Sequence, residues 1–354
     1  MKINNLIFIL FVDIIFVLIF LLILVFYTDQ WFASSKGDDG EYLNLSLLPN
    51  YYKFMPHVLP TLLGNIFNLN IEYSRTIAFF LNLMSLNLLI YLIFKTINIP
   101  LSRTLHGYFL VLCWIFSNPA LVFSTIYVMR DIYIVTFLYL FFVSSKNFLS
   151  SAALISFLYL RPTAIIVAAA MKFKHIKIWH LLAGLICLGL VPSILKFLLM
   201  PAGVLLGHTD FSVFDLLLYR WDKLFESGIS NSGNIFFDLI IITFKTLTRP
   251  IFFYELPSTH FGRNGYDGVE MLYSSVDVSL LFANLSVLPN LIVSATLVRS
   301  MLKPSVWKTR RSYIFFYVLL SGIYGVFTFS ERQLLMFSWF ELIIIFGLRN
   351  DYHN

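Results

Sequence analysis

From Leu6 to Tyr27 the chain carries a single charged side chain, Asp13. A helix that crosses the hydrocarbon core of a bilayer needs about 20 mostly apolar residues, so this run is long enough to span. It is too long for a cleaved signal peptide and lacks a small-residue cleavage site, and is therefore expected to remain as the first span. Further apolar segments read at 74–94, 106–123, 132–145, 179–199, 276–298, 313–328 and 333–348, with shorter pieces at 148–160 and 163–171. Hydrophobic residues make up 59% of the 354 and charged residues 12%, too little polar surface to cover a soluble globule. The expected fold is all-α: a polytopic transmembrane helix bundle with about 8–10 membrane helices, forming one integral membrane domain over residues 1–354.

Charge sets the expected sidedness. With the N-terminus inside, Lys2, Lys95, Arg103, Lys146, Lys172, Lys174, Lys177, Arg299, Lys303, Lys308, Arg310, Arg311 and Arg349 fall on the cytoplasmic side, as the positive-inside rule favours. Of the 19 acids, Asp13 and Glu341 sit in spans and Asp351 lies inside, which leaves 16 facing outward. For both termini to be cytoplasmic, 148–171 must be a broken hairpin that turns at Arg161-Pro162, where proline removes a helix hydrogen bond and disfavours helix before it. Two outer loops result: 28–73, with an acidic motif and interfacial helices, and the larger 200–275. The net charge of +6 is accounted for by inner loops, and no nucleic-acid partner is expected. Cys113 and Cys187 both lie within apolar runs, which argues against a disulfide or zinc framework.

Charge suited to chemistry is densest in Lys36-Gly37-Asp38-Asp39-Gly40-Glu41-Tyr42. Three carboxylates in four residues at a membrane face can deprotonate a hydroxyl, hold a divalent cation through hard oxygens, or stabilise positive charge on a reacting sugar carbon. The plainer alternative is a solvated turn. Arg130 in Met129-Arg130-Asp131, Arg161 at the helix break and Arg332 in Ser330-Glu331-Arg332 are expected to converge on the same side. An arginine at membrane depth is costly unless paired or facing water, and its guanidinium suits bidentate phosphate recognition. As ordinary anchors, Arg130 would instead pair with Asp131 and Arg332 with Glu331. Tyr42, Arg220, Arg249, His260 and Arg263 are candidates for glycan contact. His57 reads as a polar anchor on an interfacial helix, and Asp13 as a group that snorkels or pairs with another helix.

These residues resemble two groups of polytopic glycosyltransferases. The acidic turn Asp38-Asp39-Gly40-Glu41-Tyr42 is similar in form and place to the first-loop acidic pair of GT-C enzymes, which use polyprenyl-phosphate sugars. Asn118-Pro119, Met129-Arg130-Asp131, Leu160-Arg161-Pro162-Thr163 and Glu331-Arg332 resemble the layout of O-antigen and capsular polysaccharide polymerases. Arg-x10-Gly repeats are not evident, and Arg332 lacks the Tyr and Pro that often follow its GT-C counterpart, so the subfamily stays open.

The resemblance implies a GT-C-like fold and a hexosyltransferase of surface polysaccharide (lipopolysaccharide O-antigen) biosynthesis in the bacterial inner membrane, its site facing the periplasm or exterior. Asp38 or Asp39 would serve as base, with Glu41 beside them, and a polyprenyl-(pyro)phosphate-linked sugar or oligosaccharide would be the donor. A divalent cation is left open, as are other polysaccharide-assembly proteins as partners. An O-antigen repeat-unit polymerase using an undecaprenyl-pyrophosphate-linked glycan is the specific expectation. The alternatives are a GT-C enzyme adding one sugar and, in another class, a lipid-linked oligosaccharide flippase or other transporter. Transporters of that kind often carry internal repeats with paired broken helices, whereas here one break and no repeat is read.

Overall fold

The computed structural model describes residues 3–26, 57–68, 70–99, 104–143, 278–327 and 335–349. Among these the fold is all-helical, and the one β feature is an isolated antiparallel bridge between Ile97 and Leu348. In chain order the helices are α1 (Ile3–Phe26), α2 (Leu59–Ile66), α3 (Ile71–Thr96), α4 (Thr104–Phe116), α5 (Pro119–Ile126), α6 (Asp131–Val143), α7 (Val278–Met301) and α8 (Pro304–Phe327). A 3-10 turn at Leu335–Phe337 then leads into α9 (Phe340–Phe346).

Two helices, α1 and α3, are long and apolar enough to cross a membrane by themselves, and up to four spans result if the bent pairs α4–α5 and α7–α8 each count as one. That compares with about 8–10 expected membrane helices. The hairpin expected at 148–171, the span at 179–199 and the loop at 200–275 lie outside the described residues. The helical character of α1 follows from a membrane setting. Phe8, Val12, Phe16, Phe20 and Ile23 form its buried stripe, while Leu10, Phe11, Ile14 and Leu18 on the other faces stay exposed. A helix apolar all round is stable where lipid covers its free faces.

Helix α3 organises the rest. It runs parallel to α6: Asn82 donates to the Tyr127 carbonyl, Ser85 donates to the Thr136 hydroxyl, and Thr96 shares a hydrogen bond with the Tyr139 hydroxyl. In front of α3, α2 folds back as a short hairpin arm. The approach is close because Gly64 has no Cβ, and one placed there would sit 2.0 Å from Ser74 Oγ. Asp13 of α1 hydrogen-bonds Asn87 of α3, so the acid in the first span pairs with a neighbouring helix, one of its two expected fates.

Three segments depart from simple spans. The expected span 106–123 is broken: α4 and α5 meet at 76°, at Asn118-Pro119. Proline opens α5 at a position where its missing N–H is harmless, and Asn118 and Ser117 both donate to the Trp114 carbonyl that the break exposes. The expected inner loop near 299–312 is helical up to Met301 and again from Pro304, with a 113° turn between α7 and α8. The expected span 333–348 is a 3-10 turn followed by the seven-residue α9, too short to cross a bilayer alone. It wedges into the core instead. Trp339 stacks on Phe340 and meets Tyr139 edge-on, and Trp114 donates its indole N–H to the Ser338 carbonyl.

Candidate functional site

Of the residues singled out above, Arg130 is described. Asp38, Asp39, Glu41, Tyr42, Arg161, Arg220, Arg249, His260, Arg263 and Arg332 lie outside the described residues, so the structure neither brings them together nor separates them. Around Arg130 a polar cluster is nevertheless defined.

Its depth follows from helix register. Asp131 precedes Thr136 by five residues, and Thr136 sits opposite Ser85, which places Asp131 level with Phe80 on the parallel helix. At about 1.5 Å per residue, that is about 13 Å along the axis from the start of α3 at Ile71. Helix α2 reaches the same level from the other direction. Gly64 lies against Ser74, and His57 is seven residues earlier, about 10 Å farther along. The hairpin thus brings His57 to Arg130 and Asp131.

The electrostatics agree with this placement. The His57 imidazole is pushed down to about 3, chiefly because burial penalises its cation and further because of the Arg130 charge, with Asp131 acting in the opposite sense. At neutral pH it is therefore uncharged and keeps one lone pair on the ring. Arg130 is half-buried, while His57 and Asp131 are buried. Asp131 occupies the first turn of α6, where a carboxylate complements the positive helix end, whereas Arg130 one residue earlier adds to that positive end.

Sequence reasoning missed Arg75. It is 3% exposed and two turns before Asn82, hence on the face of α3 that meets Tyr127. In Glu72-Tyr73-Ser74-Arg75 it resembles an ordinary surface arginine three residues from a glutamate. Its only sequence signal is the neighbouring Ser74, small enough to let α2 approach. Two further hydroxyls lie nearby in sequence, Thr61 four residues beyond His57 and Tyr133 two residues beyond Asp131, the latter on a different face of α6. Both are buried and lack a hydrogen bond among the described residues, so both are available to a ligand. The Arg130 guanidinium beside the N-terminus of α6 suits an anion, and neutral His57 can accept a proton. Among the described residues no three His, Cys, Asp or Glu side chains come together as a metal site.

A second buried acid stands apart. Tyr317 donates to Glu341 Oε1 at 2.5 Å, both side chains being buried, and this ties α8 to α9. Comparison with protein-family models, with curated proteins and with solved structures finds no match.

Proposed function

We propose that the chain is a bacterial inner-membrane glycosyltransferase of surface-polysaccharide assembly, with a GT-C-like bundle, that uses a polyprenyl-(pyro)phosphate-linked sugar or oligosaccharide as donor. In its specific form it is an O-antigen-type repeat-unit polymerase. The observation that supports this reading is Arg130 beside Asp131 and His57, about 13 Å along the axis from the start of α3. Ionisable groups buried at such a level are candidates for function, and a carrier lipid presents its phosphate close to the interface.

The acceptor hydroxyl attacks the donor sugar's anomeric carbon. The new C–O bond forms as the bond to the carrier phosphate breaks, and the hydroxyl proton passes to Asp38 or Asp39. The leaving (pyro)phosphate carries the developing negative charge, which Arg130 and Arg75 stabilise. The acidic turn in the first outer loop also favours a second reading, transfer of one sugar by a GT-C enzyme.

The test replaces Asp38 and Asp39 separately with Asn, and Arg130 with Gln, followed by gel analysis of surface polysaccharide. Loss of one oxyanion-type contact costs about 100-fold or more in rate, so each active variant loses long chains. A repeat-unit polymerase leaves a single capped repeat, a one-sugar transferase removes one sugar, and a flippase abolishes outer-face glycan. Normal chain length and sugar content in all three variants, with the proteins present at wild-type levels, sinks the assignment.

A further inference from the structure

At the other end of α3, helices α4, α7, α8 and α9 enclose a cavity of about 640 Å³. Its cationic lining is Arg299 from α7, Lys303 from the elbow and Arg310 from α8, with His106 from α4, Asn98 and Ser300 as further polar groups and no acid among the lining residues. The positive-inside rule explains why basic residues occur at such helix ends. It does not explain why they converge from separate helices on one cavity.

Arg310 is fixed in place. Its Nη1 donates to the Ile344 and Ile345 carbonyls at 2.6 and 3.0 Å and its Nη2 to the Phe346 carbonyl at 3.2 Å, so it caps the negative end of α9. Gly347, with φ +79°, makes room for it: a Cβ there would lie 2.6 Å from Nη2. Three of the five guanidinium N–H groups are committed in this way, and two remain for a ligand.

The polar lining also has apolar neighbours that favour an amphiphile. Leu105 beside His106 is 83% exposed, Leu302 beside Lys303 is 78% exposed, and Val298 and Trp307 are exposed on the same turn. In water such side chains carry a hydration cost, whereas at a bilayer rim they meet acyl chains, and tryptophan is favoured at that level.

We propose that this cavity binds the phosphate headgroup of an anionic phospholipid, with Arg299, Lys303 and Arg310 as ligands and the Leu105 and Leu302 side of the rim against the acyl chains. The site is separate from the Arg130 cluster and does not depend on the transferase reading. Basic pockets between membrane helices are suited to such headgroups.

The test uses the full-length protein in nanodiscs of phosphatidylcholine doped with phosphatidylglycerol, reading lipid retention by native mass spectrometry. Wild type retains phosphatidylglycerol in preference to phosphatidylcholine. The Arg299→Gln/Lys303→Gln variant binds it about 30-fold more weakly, following from about one unit of surface electrostatic attraction per cation removed. Lys308→Gln/Arg311→Gln removes the same charge from the same end but from outside the cavity, and leaves retention within about threefold of wild type. Equal losses in the two variants overturn the proposal in favour of diffuse surface charge. Displacement of the lipid by inorganic phosphate at low millimolar concentration overturns the lipid as its source.

Discussion

At His57, burial and the Arg130 cation act in the same direction, and together they outweigh the opposing pull of Asp131. The folded chain therefore refuses a proton that the unfolded chain accepts below its ordinary value near 6.5. Between about pH 6.5 and about 3 the unfolded state binds more protons at this imidazole, so this group's contribution to stability falls as pH drops through that window and is constant above it. The thermal midpoint of the purified protein in detergent is expected to decline more steeply between about pH 7 and pH 5 in wild type than in His57→Gln. Superimposable pH profiles would rule out the buried neutral imidazole. Pro56-His57-Val58 reads as a polar anchor because nothing local reveals that a helical hairpin draws it inward. Arg130 was legible because a cation opening an apolar run is costly wherever it lies; Arg75, three residues from an acid, offered no such contrast.

The hairpin that makes this arrangement depends on one close approach. Adding a methyl at Gly64 forces Ser74 Oγ to rotate away, and where the packed hairpin resists this the overpacking costs about 1–3 kcal/mol, against the roughly 1 kcal/mol that alanine gains in a helix. Gly64→Ala is expected to lower the thermal midpoint measurably, and adding Ser74→Ala to recover most of the loss, a coupling read as non-additivity in a double-mutant cycle. Additive effects would mean that the two residues do not touch. Element boundaries show what hydropathy can and cannot reveal. It located α1 and α3 because a long uniform run has one stable solution in lipid, a single straight helix. Within 333–348, Ser338 Oγ and Trp339 Nε1 each donate to a carbonyl three residues back. Those side chains favour a tight 3-10 start over a continuous helix. The bend of 76° at Asn118-Pro119 was not read, because hydropathy continues unbroken across it to residue 123.

Across the whole molecule, two chemically different ends face opposite ways along α3. Arg75 and the Arg130 cluster lie toward its start. At its finish, Arg349 donates to the Ile97 and Phe94 carbonyls and the cationic cavity opens beside it. From Ile71 to Thr96 the axis is about 37 Å long, more than the roughly 30 Å of a hydrocarbon core, so groups at the two ends can emerge in different compartments. All-helical character among the described residues was readable from the sequence, since it follows from transfer energies summed over long segments. The depth of Arg130 was not, because it depends on the register between α3 and α6. Sidedness itself is testable with single cysteines in a Cys113→Ala/Cys187→Ala background. Phe67 is 67% exposed near the start of α3, and Lys308 is exposed near the cationic end. In spheroplasts, Phe67→Cys is expected to react with a membrane-impermeant maleimide, and Lys308→Cys only after permeabilisation. The reverse pattern would place the Arg130 cluster away from the exterior, where a carrier-linked glycan could not reach it, and labelling of both from outside would mean that the two ends of α3 do not lie in different compartments.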